Sequence, residues 1–298
     1  MPRAIANGVE LEYERYGNPE HETVLLIQGL GAQLVHWPMA LVELLVERGF
    51  QVVRFDNRDI GLSQKLSHLP VPNGRRLLFR TMLRLPYRPP YRLDDMAADS
   101  VGLLDALEID AAHIVGASMG GMIAQLVASH YPERALSLTS IMSTTGNPRL
   151  PRPTRAAAAA LVAPRPDPAD HEAVVARGLK LARAIGSPAY PADPEVLRQA
   201  SLAVAARSYQ SEGPGRQLAA SLAAGDRRRH LRRLMLPVTV LHGKDDPLIR
   251  VACGVDTARN IPGAELRVIP GMGHDFPEAL MPEFADAIEA AARRSQAH

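Results

Sequence analysis

The stretch "AHIVGASMGGMIAQLV", residues 112–127, joins a short apolar run to a helical pattern through the six residues "GASMGG". An apolar run that ends in a glycine-bounded serine and continues as a helix predicts an abrupt turn from strand to helix. Gly116 and Gly120 remove the side chains that would clash in such a turn. We therefore expect Ser118 to be presented at the end of a buried strand, in a strained backbone conformation.

Further short runs rich in Val, Ile and Leu repeat this pattern along the chain. They lie at 23–29, 51–57, 136–142, 237–243 and 264–271. Continuous rather than alternating apolar runs indicate strands covered on both faces, which is typical of parallel sheets flanked by helices. Helical patterns fall between these runs, at 36–50, 93–110, 119–133, 251–263 and 282–294. The order predicts an α/β fold with a doubly wound, mostly parallel sheet.

Two regions depart from the alternation of strands and helices. "VELEYERYG" (9–17) alternates polar and apolar residues, which predicts an antiparallel edge strand at the N-terminus. Between about Gly146 and Arg233, Ala- and Arg-rich helical segments are separated by Pro. We interpret residues 1–145 and 234–298 as the core, and residues 146–233 as an inserted helical lid over the carboxyl ends of the strands, where open α/β sheets hold their ligands.

Composition excludes several function classes. The chain has 298 residues, with 34 Lys and Arg against 32 Asp and Glu, so it lacks the dense positive field of nucleic-acid-binding proteins. The lone Cys253 excludes an intramolecular disulfide framework, and the polar start lacks the apolar core of a secretory signal. No apolar run is long enough to cross a bilayer. We expect a soluble cytoplasmic enzyme without stable membrane insertion.

The segment "RRLLFRTMLRL" (75–85) predicts a basic amphipathic helix. Arg75, Arg76, Arg80 and Arg84 interleave with apolar residues, a pattern compatible with contact to a membrane surface or attraction of an acidic substrate. One short helix without lipidation binds membranes weakly, which favours a solvated helix at the mouth of a pocket.

A serine hydroxyl is a weak nucleophile near neutral pH and needs a base and a group that orients the base. His274, in "PGMGHDF" between the last strand and the last helix, is the predicted base, and His36 is a weaker alternative. In "LHGKDDPLI" Asp246 is the predicted acid, and Asp245 is the alternative, expected to stabilise the loop. Ser118, Asp246 and His274 then follow one another in the order of α/β-hydrolases, each after a strand.

An ester-cleaving serine also needs hydrogen-bond donors for the oxyanion that forms during attack. The backbone N–H of Met119, directly after the serine, is one predicted donor. The other is the N–H of Leu30 in "QGLG" (28–31), where Gln28 replaces a more usual His. Because backbone groups supply both hydrogen bonds, the Gln28 change is tolerated. This chemistry requires no metal and no organic cofactor.

Taken together, "LLIQGLGAQLVHW", "RFDNRDIGLS", "YRLDDMAADSVGLLDALEIDAAHIVGASMGGMIAQ", "LHGKDDPL" and "IPGMGHD" resemble the α/β-hydrolase superfamily. They are similar in particular to its bacterial esterases of the aclacinomycin methylesterase type. The resemblance spans nearly the whole chain except the lid. One departure is Asp59, which stands where Gly usually follows the arginine at Arg58. The resemblance implies that Asp56 and Arg58 brace the loops near the oxyanion site.

The resemblance also bears on the reaction. Serine at the nucleophile position disfavours the haloalkane dehalogenase and epoxide hydrolase branches of the superfamily, so a serine carboxylesterase acting on a small-molecule ester is the expected activity. The same triad supports lactone hydrolysis, perhydrolysis and C–C bond cleavage, and some members of the superfamily are ligand receptors or regulators. The natural substrate and the oligomeric state stay open.

Overall fold

A computed structural model describes residues 2–73, 77, 80, 85, 87–209 and 212–296. The described residues form one eight-stranded sheet with the order β1-β2-β4-β3-β5-β6-β7-β8. The strands are β1 (Arg3–Ala6), β2 (Val9–Tyr16), β3 (Thr23–Ile27), β4 (Gln51–Phe55), β5 (Ala112–Ala117), β6 (Ala135–Ile141), β7 (Val238–Gly243) and β8 (Glu265–Ile269). Strand β2 pairs antiparallel with β1 and β4, and all other pairs are parallel. The predicted doubly wound, mostly parallel α/β fold is confirmed.

The two edges of the sheet differ from the prediction. The stretch predicted as an antiparallel edge strand forms β2, which is antiparallel but not at the edge, because β1 folds back against it. Asn7 and Gly8 connect the two strands with φ of 51° and 75°, values that suit a tight hairpin turn. At the other edge, the side chains of β8 alternate in burial, and Leu266 and Val268 are 36% and 37% exposed. Strand β8 is therefore not covered on both faces.

Within the described residues, five helices flank the sheet: α1 (Met39–Glu47), α2 (Leu93–Ala106), α3 (Met119–His130), α9 (Val251–Arg259) and α10 (Met281–Ser295). Short 3₁₀ turns lie at Leu34–His36, Pro132–Arg134 and Glu278–Leu280. Between β6 and β7 lie α4 (Arg155–Leu161), α5 (His171–Ile185), α6 (Pro194–Arg207), α7 (Gly213–Ala223) and α8 (Arg228–Leu231). Residues 146–233 are called the inserted segment below, and the described residues within this range include no strand.

The sheet separates two apolar cores, because successive side chains of a strand point to opposite faces. In β3, Leu25 and Ile27 face a core that includes residues of α2 and α3. Val24 and Leu26 face a second core that includes residues of α1 and α10. Burial on both faces explains why this strand reads as an uninterrupted apolar run.

Two other features singled out in the sequence are the predicted basic helix and Cys253. Arg75, Arg76 and Arg84 of the predicted basic helix fall outside the described residues, so the role of that helix stays a prediction. Cys253 is buried and forms no disulfide. Among the described residues, none of the helices has the length and apolar character that spanning a membrane requires.

A buried ion pair ties the inserted segment to the core. The Arg216 guanidinium donates to both carboxylate oxygens of Asp59 at 2.9 Å, and both side chains are almost fully buried. Burial alone would raise the pKa of Asp59, but hydrogen bonds from Arg216 and from the Leu66 N–H outweigh it and lower that pKa. Asp59, which stands at the usual glycine position, has a φ of 71°. The hydrogen bonds between its carboxylate and Arg216 link the loop after β4 to α7.

Replacing Arg216 by Met should destabilise the protein by about 3–5 kcal/mol, because it leaves the Asp59 carboxylate buried without its partner. Urea unfolding followed by circular dichroism measures the change. The matched control is Arg198→Met, which removes an exposed pair with Glu195 on α6 and should change stability by no more than about 0.5 kcal/mol. Equal losses in the two variants would contradict this view of the buried pair.

Candidate active site

Ser118 lies at the turn between β5 and α3, with φ of 56° and ψ of −118°. Such a backbone conformation costs a non-glycine residue about 1–3 kcal/mol and persists only where its surroundings enforce it. Its N–H donates to the Ile141 carbonyl at 2.9 Å, and its carbonyl accepts from Ser143 Oγ at 2.7 Å. A Cβ atom on Gly116 would overlap the Gly120 carbonyl. The glycines of this turn thus permit the close packing that holds Ser118 in place.

The structure brings Ser118, His274 and Asp246 together. His274 Nε2 lies 3.0 Å from Ser118 Oγ, and His274 Nδ1 lies 2.7 Å from Asp246 Oδ2. Because an ionised carboxylate can only accept, the proton of the neutral ring is on Nδ1, which leaves Nε2 free to accept from the serine hydroxyl. The inserted segment helps to hold His274 in place, since the His274 N–H donates to the carbonyl of Ile185, the last residue of α5, at 2.7 Å.

Several hydrogen-bond donors around Asp246 stabilise the ionised form of its side chain. Its Oδ1 accepts from the N–H groups of Leu248 and Ile249, each at 2.8 Å. Burial alone would raise the pKa of Asp246, but the positive charge of His274 when its ring is protonated, together with hydrogen bonds from His242 and His274, outweighs burial and lowers the pKa to about 2. His242 lies near the end of β7. Its Nε2 lies 2.7 Å from the Ile249 carbonyl and 3.5 Å from Asp246 Oδ2.

The two alternative residues make other contacts. Asp245 Oδ2 accepts from the Gly271 N–H at 2.8 Å, which ties the loop after β7 to the loop after β8. His36 Nδ1 accepts from the Gln33 N–H at 3.0 Å, within the 3₁₀ turn after β3. Neither side chain is hydrogen-bonded to Ser118 or His274 in the described part of the chain.

The loop after β3 packs against Ser118. A Cβ on Gly29 would lie 3.2 Å from Ser118 Cβ, a tight contact that would require the loop or the serine to shift slightly. The Gly29 N–H is already used, because it donates to Gln28 Oε1 at 2.7 Å. Across the described residues, no hydrogen bond to a loop or a side chain uses the N–H of Leu30 or of Met119.

Asp56 and Arg58 make contacts within and between loops. Asp56 Oδ1 accepts from the Leu34 N–H at 2.6 Å, and its Oδ2 accepts from Leu62 N–H and from Arg207 of α6 at 2.8 and 2.7 Å. Arg58 instead forms a bidentate ion pair with Asp99 of α2, in which Nε and Nη2 each donate to one carboxylate oxygen at 2.5 Å. Asp56 therefore organises the loop that carries Leu30, whereas Arg58 anchors the loop after β4 to α2.

Sequence reasoning missed the contacts between the inserted segment and the His274 loop. Ser187, just after α5, donates its hydroxyl to Asp275 Oδ1, and its N–H donates to Asp275 Oδ2 at 3.1 Å. The same hydroxyl accepts from the Gly273 N–H at 2.8 Å. Burial raises the pKa of Asp275, while the hydrogen bonds from Ser187 oppose that rise. The acidic residue directly after His274 was the one signal that could have indicated this contact.

A second missed residue connects the inserted segment to the loop after β3. The side chain of Gln217, on α7, is fully buried; it accepts from the Gly31 N–H at 2.8 Å and donates to the Arg58 carbonyl at 3.0 Å. An isolated glutamine in a helical pattern carries no sequence signal for such a role. In the part of the chain that the structure describes, no three His, Cys, Asp or Glu side chains are grouped as metal ligands.

Comparison with known proteins shows which family this chain resembles over most of its length. The sequence model of the α/β hydrolase fold matches residues 22–278. Rhodomycin D methylesterase of Streptomyces peucetius is 29% identical over 307 aligned positions, which cover 97% of each chain. The 3-oxoadipate enol-lactonase 2 of Acinetobacter baylyi is 27% identical over 290 positions, covering 97% of this chain and 95% of the lactonase.

A solved structure shows the same fold. The enol-lactonase from Burkholderia xenovorans LB400 superposes with a TM-score of 0.72 and 21% sequence identity, covering 98% of this chain and 100% of the other. At this level of identity the similarity concerns the fold alone.

The low pKa of Asp246 predicts a specific dependence of stability on pH. Above the ordinary carboxyl pKa near 4, the ionised Asp246 contributes its full share of stability, and this share is lost as the pH falls through about 2. The difference in unfolding free energy between the wild type and Asp246→Asn should therefore shrink by about 2 kcal/mol from pH 6 to pH 2. Urea titrations of both proteins across this range measure it. A difference in unfolding free energy that stays constant with pH would contradict the lowered pKa of Asp246.

Proposed function

Because this chain belongs to the α/β-hydrolase fold family, we propose that it is a carboxylic ester hydrolase that forms an acyl-enzyme intermediate on Ser118. The observation that carries the proposal is the continuous hydrogen-bonded series from Ser118 through His274 to Asp246. Nucleophile, base and orienting acid at these distances make up the arrangement that acyl transfer requires. The similarity to a rhodomycin D methylesterase supports an ester as the substrate.

In the first half of the reaction, His274 Nε2 takes the hydroxyl proton as Ser118 Oγ attacks the ester carbonyl carbon. The carbonyl oxygen becomes negative and accepts hydrogen bonds from the N–H groups of Leu30 and Met119. When the tetrahedral intermediate collapses, the bond to the alcohol breaks and His274 returns the proton to the leaving oxygen. Asp246 stabilises the positively charged imidazole between these steps.

In the second half, a water molecule replaces the alcohol. His274 takes a proton from this water, whose oxygen attacks the acyl carbon, and the same two N–H groups hold the oxyanion again. Collapse returns the proton to Ser118 Oγ and releases the carboxylic acid. The net reaction consumes one ester and one water and yields one acid and one alcohol, with no metal or organic cofactor.

The inserted segment, residues 146–233, serves as the lid of this site in our proposal. Its support is the set of contacts from Ser187 to the His274 loop and from Gln217 to Gly31. We further propose a small-molecule substrate and a cytoplasmic location, which fractionation of cells followed by an activity assay would check.

A lactone is the second candidate substrate, because a relative over nearly the full chain is a 3-oxoadipate enol-lactonase. A lactone is a cyclic ester, and the alcohol released from it stays attached to the acyl group. A panel of methyl esters, aryl esters and lactones, compared by kcat/KM, separates the two candidates.

Substitution of Ser118 by Ala should lower kcat for p-nitrophenyl acetate by at least about 10³-fold, because no other group can form the acyl-enzyme. A fluorophosphonate probe should label the wild type at Ser118, as read by mass spectrometry of the labelled peptide, and should not label the variant. The control variant Asp245→Asn changes an exposed residue near the site and keeps Ser118, so the probe should still label it at Ser118. Full ester hydrolysis by the Ala variant would refute the mechanism.

Ser187→Ala should lower kcat by about 10-fold with little change in KM, because the loop that carries His274 loses its hydroxyl contacts to Gly273 and Asp275. Ser187→Thr retains a hydroxyl and should restore most of the lost rate. Ser221→Ala, which removes a hydroxyl that donates to the Gln217 carbonyl within α7, is the matched control and should leave kcat unchanged. Parallel changes in KM and kcat, without rescue by Thr, would contradict a positioning role.

A further inference from the structure

A cavity of about 800 Å³ lies at the far end of α3 from Ser118. Ser129 and His130, the last two residues of α3, line one side of it, and residues of α8 and of the chain from α8 to β7 line the other. Its volume falls within the range of small-molecule sites, which is about 300–1,000 Å³. This space is called the α3–α8 cavity below.

The α3–α8 cavity is separate from the candidate active site. Ser118 directly precedes α3, and a rise of 1.5 Å per residue puts the two ends of this helix about 17 Å apart. Pro132 and Leu236, which line the cavity, precede β6 and β7 by three and two residues. The cavity therefore lies beside the amino ends of these strands, whereas Ser118, Asp246 and His274 follow the carboxyl ends of strands.

Local helical geometry brings two arginines to this cavity. The Arg232 N–H donates to the Arg228 carbonyl at 3.1 Å, and the Arg233 N–H donates to the His230 carbonyl at 3.0 Å, so the helical turn continues beyond α8. Residues four apart on a helix share one side, and Arg229 and Arg233 both line the cavity. In the part of the chain that the structure describes, neither guanidinium is paired with a carboxylate. Both are exposed, so their N–H groups can donate to a ligand.

Two histidines connect the walls of the cavity. His130 Nε2 lies 3.1 Å from His230 Nδ1, a hydrogen-bond distance, and the two ring centroids are 5.2 Å apart. His130 belongs to the core and His230 to the inserted segment, so this contact links the two sides across the cavity. The walls are therefore in place before a ligand binds, which reduces the cost of ordering them on binding.

The lining combines positive charge with apolar surface. Arg229 and Arg233 carry the charge, and none of the described residues that line the cavity is acidic. Asp94, whose Oδ1 lies 3.6 Å from His130 Nδ1, is outside the lining. Met235 is 91% exposed and offers most of its apolar side chain to a ligand. The apolar lining residues are Ala128, Pro132, Leu234, Met235 and Leu236. A ligand that matches this lining has an anionic head and an apolar body.

We propose that the α3–α8 cavity binds a small amphipathic carboxylate, with its carboxylate between Arg229 and Arg233 and its apolar chain against Met235 and Leu236. A guanidinium donates two parallel hydrogen bonds to a carboxylate, and the chain and the cavity wall remove apolar surface from water. The bound ligand contacts both the end of α3 and the end of the inserted segment. This site goes beyond the proposed ester hydrolysis at Ser118 and does not depend on it.

Octanoate is the probe for this site, and isothermal titration calorimetry measures its binding to the wild type. We expect one octanoate per chain, bound at least about 10-fold more tightly than octanol, which has the same chain without the charge. From butanoate to hexanoate to octanoate, the affinity should rise about 3-fold for each added CH₂ group. Equal affinities for octanoate and octanol, or the absence of saturable octanoate binding, would overturn the proposal.

Substitutions locate the bound carboxylate. Arg229→Met and Arg233→Met should each weaken octanoate binding by about 10-fold or more, because each removes charge-assisted hydrogen bonds. Arg232→Met is the matched control, since Arg232 is exposed in the same basic stretch but lies outside the lining, where it donates to Asn260 Oδ1 at 2.9 Å. This control should bind octanoate as the wild type does. Equal weakening in all three variants would overturn the site, because it would reflect a general attraction of anions.

Blocking Ser118 with a fluorophosphonate separates the cavity from the active site. Octanoate should bind the labelled and the unlabelled protein equally tightly. Loss of binding on labelling would place octanoate at Ser118 and overturn the proposal. Binding to vesicles that contain anionic lipid, without binding of octanoate, would also overturn it, because this surface would then recognise a membrane. A wild type that binds octanoate with the expected effects of the arginine variants, but hydrolyses no ester, would support the cavity site and refute the proposed function.

Discussion

The turn from β5 into α3 is the constraint on which the candidate active site depends. Ser118 adopts a conformation that non-glycine residues avoid, and it does so because Gly116 and Gly120 let neighbouring backbone come closer than any Cβ would allow. A Cβ on Gly120 would overlap the Ile27 carbonyl at the end of β3. The turn therefore fixes the serine and also the start of the loop that carries Leu30.

The parallel sheet explains why the other groups meet at this turn. Strands β3, β5, β7 and β8 are parallel, so the loops after all four leave the same edge of the sheet. These loops carry Leu30, Ser118, Asp246 and His274, which are far apart in the sequence. Short hydrogen bonds then fix the loops to one another, as between the Asp245 carboxylate and the Gly271 N–H. The fold supplies proximity, and the loop contacts supply orientation.

Sequence patterns predicted the parts that follow from local rules. Buried strands read as continuous apolar runs, and the glycines around Ser118 indicate a sharp turn, so the sheet and the positions of Ser118, Asp246 and His274 on its loops were predictable. Contacts between distant segments leave no periodic signal. The hydrogen bonds of Ser187 to Asp275 and of Gln217 to Gly31 depend on how the inserted segment packs, and the N-terminal β1 was too short to register as a strand.

The contacts of the inserted segment also bear on how substrate reaches Ser118. This segment is fastened on one side through Ser187 to the His274 loop, and on the other through Arg207 and Arg216 to Asp56 and Asp59. Separating the whole segment from the core would strip two buried carboxylates of their partners, at several kcal/mol each. A movement confined to part of the segment would keep both ion pairs intact. The two buried pairs therefore oppose a movement of the whole inserted segment and permit a movement of parts of it.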